Sequence, residues 1–428
     1  MSLPVTVTFM LADWIAKGLA DGTFERVGGV IRDVGTKQVV SWLREQGSNN
    51  SQVLTPTDTP NNLLNLVFSC ANLVASGANA ATTVKGLTDV NQRLGGIENQ
   101  LGKIGQSVQF TQGILQVTSA VSILNLGVSV IGFAVIAQRL KELEQRLQQA
   151  QKVLNKINRK IDLSFYANFR AAIELATNAF TMTKTENRRS SALQAINRFL
   201  EAEHIYAEYT DIEIEQKSQI ADEYLLTLSL AYLAEARCYL ELEEHDTALR
   251  RFEEGAKVIR SRIHKYVEIL LTSNPAAYLH PQLKDHIDLR RLTRIYQWID
   301  PALDENAVFE LQRKNLFKIA KDPEKWLDSI PAAILTRVEV EGGWFGPSQD
   351  DLNQEAYKRL PQAFEVMESM IETNRRFEAY QTEVQAISQL GISFHDWLKL
   401  TPSTEIKPDG AELMYIIPSK PLELQPSI

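Results

Sequence analysis

Hydrophobic positions recur in alternating three- and four-residue steps through two stretches of the chain. The first runs Leu87, Val90, Leu94, Ile97, Leu101, Ile104, Val108; the second runs Phe133, Ile136, Leu140, Leu143, Leu147, Ala150, Leu154, Ile157, Ile161. This is the heptad pattern of a packed helical seam. It predicts helices on either side of a charge-free stretch, with Leu140, Leu143, Leu147, Leu154 and Ile157 as the seam of the second. One continuous helix over about 87–161 would be roughly 110 Å long at ~1.5 Å per residue. A hairpin of two long helices fits the pattern equally, with its turn at Gln112-Gly113 or near Asn125-Leu126-Gly127.

No Asp, Glu, Lys or Arg lies between Lys103 and Arg139, nor between Asp58 and Lys85. Residues 120–137, AVSILNLGVSVIGFAVIA, have about the minimum length of a membrane helix, ~18 residues. On a helix, Thr118, Ser122, Asn125, Ser129 and Gly132 step by four, three, four and three and form one polar seam. Val121, Ile123, Leu124, Val128, Val130, Ile131, Phe133, Val135 and Ile136 cover the remaining faces. Such a helix suits lipid, where small hydroxyl-bearing residues allow close helix contact. It also suits the centre of a large helical fold. Exposing it to water costs ~25 cal/mol per Å² of apolar area. A soluble state must therefore cover it, with 60–84 or the N-terminal segment as candidate covers.

Elsewhere the pattern is that of ordinary amphipathic helices. Residues 8–46 read as one or two short ones (Met10, Leu11, Trp14, Ile15, Leu19; then Val27, Ile31, Val39, Val40, Trp42, Leu43), followed by a polar linker at 49–61. Residues 166–330 read as a helical domain. ILTRVEVEGGWFGP could hold a short strand before a Gly-rich turn. A long helix is expected over about 349–390, and AELMYII reads as a short β element before a Pro-containing tail. The expected fold is mainly all-α: an elongated helical bundle or coiled coil at 62–165, then the second helical domain, then a C-terminal helix and tail at 331–428.

Composition adds exclusions. The 428-residue length fits two or three domains. The net charge of −8 argues against nucleic acid as a partner, because phosphate binding needs a basic face. Cys70 and Cys238 have no metal or redox spacing and fit a reducing compartment. The N-terminus lacks a basic region and a small-residue cleavage site, so no classical signal peptide is read. The expected location is the cytoplasm as synthesised, with membrane association as the alternative.

No chemistry-bearing constellation stands out. The six histidines form no i,i+4 pair, and no C-x-x-C, P-loop or G-x-S-x-G occurs. No enzyme activity, cofactor or metal is expected. Glu241, Glu243 and Glu244 read as a solvated helix end.

Two resemblances follow from these patterns. AYLAEARCYLELEEHDTALRRFEEGAKVI resembles one tetratricopeptide unit, with Ala236, Tyr239, Ala248 and Phe252 at its small–aromatic–small–aromatic core positions and Gly255 where the motif has Ala. No second copy lies in register, so an isolated helix pair in a bundle is expected rather than an array. Residues 60–165 resemble the layout of the cytolysin A-type helical pore-forming toxins. That resemblance implies a sheltered hydrophobic tongue that enters a bilayer, with oligomerisation building a pore. The functional expectation is a membrane-active effector that oligomerises through its heptads, with lipid and a second copy or a protein partner as its contacts. The alternative is a soluble helical scaffold that binds a protein partner through the tetratricopeptide-like surface.

Overall fold

The computed structural model describes residues 5–10, 13–45, 108–111, 114–119, 124, 132–155, 161, 163–271, 275–321, 323–336, 340, 346–399 and 413–416. The chain is mainly helical and divides into two compact units. One contains residues 122–400. The other contains residues 2–121 and 401–423.

The smaller unit is built from strands where the sequence suggested helices. Strand β1 (Val5–Met10) is followed by helix α1 (Asp13–Asp21) and strands β2 (Phe24–Val27), β3 (Val30–Asp33) and β4 (Val39–Glu45). Strands β5 (Val108–Thr111) and β6 (Ile114–Ser119) precede the helical unit, and β7 (Leu413–Ile416) returns from the C-terminal region. The expectation of amphipathic helices over 8–46 holds only for α1, which buries Ile15 and Leu19. VTVTFM alternates with the period of a strand, and Val27-Gly28-Gly29-Val30 forms a tight hairpin with Gly28 at φ 53°. Gly18 lets α1 approach β2, since a Cβ there would lie 2.2 Å from the Phe24 ring.

The strands form two antiparallel sheets, ordered β1-β6-β5 and β2-β3-β4-β7. In the first, Val5 faces Ser119 and Met10 faces Ile114. In the second, Trp42 faces Ile416 and Glu45 faces Leu413.

The continuous helix over 87–161 is not formed. Val108 lies in β5, Thr118 lies in β6 opposite Thr6, and Thr111 faces Ile114 across the β5–β6 pair. Gln112 and Gly113, one of the two turn sites of the helical hairpin alternative, lie outside the described residues, and the described residues on either side of them are strands, not long helices. ILQVTS is rich in β-branched residues, and pairing with β1 satisfies its backbone in a sheet.

The first described helix of the larger unit follows Gly132, whose carbonyl accepts from the Val135 and Ile136 amides at 3.0 and 3.2 Å. Helix α2 (Phe133–Leu154) leads into α3 (Ser164–Thr181), α4 (Thr185–Glu215), α5 (Ala221–Glu241) and α6 (His245–Leu271). Short turns make α3 to α6 run back and forth, each packed on the next, while α2 lies on α3 and α5. After two 3₁₀ turns (Pro275–Leu279 and Pro281–Leu283) come α7 (Leu289–Ile299) and α8 (Glu305–Lys321). A third 3₁₀ turn (Pro323–Ser329) precedes α9 (Gln349–Leu390) and α10 (Phe394–Lys399). Helix α9 lies along α6. It starts at a capping box between Ser348 and Asp351 and stops at left-handed Gly391, φ 62°. Among the described residues of 331–346 no strand forms.

The central helix of the unit is α5. Every residue from Ala221 to Cys238 is buried. Its hydroxyls bond within the core: Thr227 and Ser229 donate to the Glu223 and Leu225 carbonyls at 2.8 and 2.9 Å, and Thr227 also meets the Tyr166 hydroxyl at 2.6 Å. A buried polar junction crosses α4, α5 and α6. Arg251 pairs with Glu203 and Glu235, and with Glu254 at 2.5 Å. Burial, reinforced by the neighbouring Glu235 charge, pushes the Glu203 carboxyl up to about 10. Glu203 Oε1 and Glu235 Oε1 meet no other donor, and a proton on Glu203 donated to Glu235 satisfies this pair of carboxyl groups.

Candidate functional site

The residues singled out by sequence scatter across this architecture. Of the hydrophobic segment, Leu124, Phe133 and Ile136 are buried and Val135 is half-buried in the helical unit. Arg376 of α9 donates to the Leu124 carbonyl and pairs with Glu372 at 3.2 Å, so this point of the charge-free stretch is tied to α9. Val121, Ile123, Val128, Val130 and Ile131 lie outside the described residues, as do Ser122, Asn125 and Ser129 of the polar seam. The seam as one helical stripe fails at its first member, because Thr118 is in β6, and Gly132 sits ahead of α2. No helix among the described residues is long and apolar enough to cross a membrane.

Leu140, Leu143, Leu147 and Leu154 are all buried within this one chain. Ile157 lies outside the described residues. Of the tetratricopeptide-like positions, Ala236, Ala248 and Phe252 are fully buried, but Tyr239 is only half-buried. The buried aromatic facing α6 is Tyr232, whose ring packs so closely that a Cβ at Gly255 would lie 2.9 Å from it. Of the acidic run, Glu243 and Glu244 are exposed, as a helix end and turn would be, and only Glu241 is half-buried. Glu241 takes Arg237 at 2.5 Å, and Glu243 accepts from the Phe394 amide at 2.8 Å, docking α10 on the α5–α6 turn.

What the sequence reading missed is the surface of α8. Its buried stripe is Val308, Gln312 and Asn315, at i, i+4 and i+7. Gln312 stands beside the Tyr296 hydroxyl of α7, whose pKa burial pushes up to about 12. Phe309, Leu316 and Phe317 lie to one side of this stripe and Leu311 to the other, with Phe309 47% and Phe317 62% exposed. This inverts the usual arrangement, in which a surface helix turns its apolar stripe inward. It also gathers four of the large exposed hydrophobic side chains of the described residues on one helix.

The scaffold beneath this face is held by specific bonds. Asp288 caps α7 by accepting from the Arg291 amide at 2.7 Å, and Asp304 accepts from the Ala307 amide at 2.6 Å at the start of α8. Arg291 makes a two-pronged bond to Glu368 of α9, at 2.9 and 2.6 Å, with its guanidinium 4.8 Å from the Phe364 ring centre. Between α7 and α8 lies a cleft of about 590 Å³. Asp288, Leu289, Arg290 and Thr293 line it from α7, and Glu305, Asn306 and Phe309 from α8. A shallow groove with mixed charge beside exposed aromatic rings is suited to protein side chains. Among the described residues no group of three His, Cys, Asp or Glu could hold a metal ion. No protein-family model, curated protein or solved structure matches the chain.

Proposed function

We propose that this protein is a helical interaction scaffold whose α7–α8 face binds a protein partner. The observation that carries the reading is the exposed apolar face of α8, Phe309, Leu316 and Phe317, beside the α7–α8 cleft. Aromatic residues set in a polar surround are the usual anchors of protein interfaces. The heptad leucines support the same assignment by elimination, since their burial within one chain leaves them no part in recruiting another.

The test is site-specific photocrosslinking in producing cells. A photoreactive residue at position 317 should give a discrete higher-mass adduct, while one at the exposed polar position Glu201 of α4 should not. Absence of any adduct from positions 309 and 317 would remove the assignment.

A second reading keeps the membrane as a contact. It rests on the run from Ile104 to Gln138, which contains no Asp, Glu, Lys or Arg. Purified full-length protein that releases dye from anionic or zwitterionic vesicles would support it. Absence of release and of vesicle flotation would retire it.

A further inference from the structure

The α8 face fits a second copy of itself. The sequence of the helix separates its charges along its length: Asp304 and Glu305 at its start and Glu310 in its first half, then Arg313 at its midpoint and Lys314, Lys318 and Lys321 in its second. Within one copy Arg313 already pairs with Glu310 at 2.5 Å, so the charges offered to a partner lie towards the two ends. Laid antiparallel on its own copy, the acidic half of each helix meets the basic half of the other. Laid parallel, like charges would meet. The apolar residues fall at the middle of this pattern, Phe309 on the acidic side and Leu316 and Phe317 on the basic side, so a two-fold axis brings each copy's aromatic rings onto the other's. An isologous contact needs this kind of self-complementarity. From this geometry we infer that α8 is a homodimerisation helix, pairing antiparallel across a two-fold axis. The inference rests on the reading of the α7–α8 face as a protein-binding surface and names its partner.

The size of the face sets the expected strength. Phe309, Leu316 and Phe317 leave on the order of 300 Å² of side-chain surface in water, judged from the usual areas of such residues. With the flanking charged residues and the α7 rim, each copy would bury somewhat more, at the low end of specific interfaces. The pair is therefore a reversible dimer, with dissociation in the range of about 1–100 μM rather than nanomolar.

The experiment is sedimentation velocity on the full-length chain over a wide concentration range, with four variants. Phe317→Glu should weaken self-association at least tenfold. Its side chain is largely in solvent, so the melting temperature should stay close to wild type. Two charge-reversed proteins provide the specific test. Glu305→Lys with Glu310→Lys makes the whole helix basic; changing Arg313, Lys314, Lys318 and Lys321 all to Glu makes it acidic. Neither should self-associate, and an equimolar mixture of the two should regain a dimer. The fourth variant, Leu193→Glu, alters a comparably exposed apolar residue on α4 and should leave the dimer unchanged. Wild type that stays monomeric at several hundred micromolar would overturn the inference. So would a dimer indifferent to Phe317→Glu and to both charge reversals. A monomeric chain that still crosslinks from position 317 to a different protein would leave the binding face standing and remove only the identity of its partner.

Discussion

Glu203→Gln should make the protein more stable at neutral and alkaline pH and leave it almost unchanged in mild acid. Glu203 is 4% exposed and packed against Glu235 and Arg251 at the α4–α5–α6 junction. Burial raises its pKa from about 4.5 in the unfolded chain to about 10 in the fold. The folded protein therefore holds this carboxyl protonated where the unfolded chain ionises it. Its contribution to stability is fully present below about pH 4.5 and is lost as pH rises towards 10. At pH 7 the gap is 2.5 pH units (7 − 4.5), which at ~1.4 kcal/mol per unit gives an upper bound of about 3.5 kcal/mol. Sharing of charge with Glu235 and Arg251 lowers it, so about 1–3 kcal/mol is the expected gain. Glutamine keeps the shape, can donate to Glu235 as the protonated acid does, and can still accept from Arg251. The assay is urea unfolding of wild type and variant at pH 5, 7 and 9. The stability difference should be near zero at pH 5 and grow in favour of glutamine by pH 7. Asp222 and Glu223, raised by burial to about 6 and about 8, add to the pH slope of both proteins and cancel in the difference. A variant that is less stable at all three pH values would show that Glu203 is an ionised partner of Arg251, and the shared-proton account would fail.

Three other substitutions probe the packing. Leu147→Asp places a carboxylate in the fully buried α2 seam and should cost several kcal/mol, read as a lowered urea midpoint; an unchanged midpoint would mean α2 does not pack as described. Phe252→Ala, beneath Phe377 and Tyr380 at ring distances of 6.0 and 5.6 Å, should cost about 3–5 kcal/mol in the same measurement. Gly255→Ala, although it favours helix, should destabilise by about 1–3 kcal/mol, because its methyl would meet Tyr232 at 2.9 Å and Phe377 at 3.2 Å; a rise in melting temperature would show that these rings give way freely.

Legibility in the sequence followed how local the determining interactions are. Helix α9 was readable end to end because Ser348, Asp351 and Gly391 mark its limits within a few residues. The buried faces of α2 and α6 were readable for a similar reason, since their apolar residues repeat at helical spacing. The strands were not. β1 pairs with β6 and β4 with β7, partners more than a hundred and several hundred residues away. Short alternating segments such as VTVTFM carry little signal until such a partner is known. ILQVTS was absorbed into a helical pattern because Thr118 and Ser122 also happen to be four apart. A fully buried central helix, one of the two environments open to 120–137, is found instead at α5, whose Ser, Thr and Glu residues hide an almost complete burial. The α8 surface was invisible for the opposite reason. Phe309, Leu316 and Phe317 look like core residues, and only the packing of Gln312 and Asn315 inward turns them to solvent.

The central claim is that the α8 face is covered by protein when the molecule is at work. Hydroxyl-radical footprinting of the full-length chain tests it directly, comparing dilute purified protein with protein in its producing cells. Leu193 and Leu390, exposed to similar degrees on other helices, serve as internal references. The account predicts strong modification of Phe309 and Phe317 in dilute solution and a severalfold loss of that modification in cells, with the two leucines unchanged. Equal modification of the two phenylalanines in both settings, relative to those leucines, would contradict it.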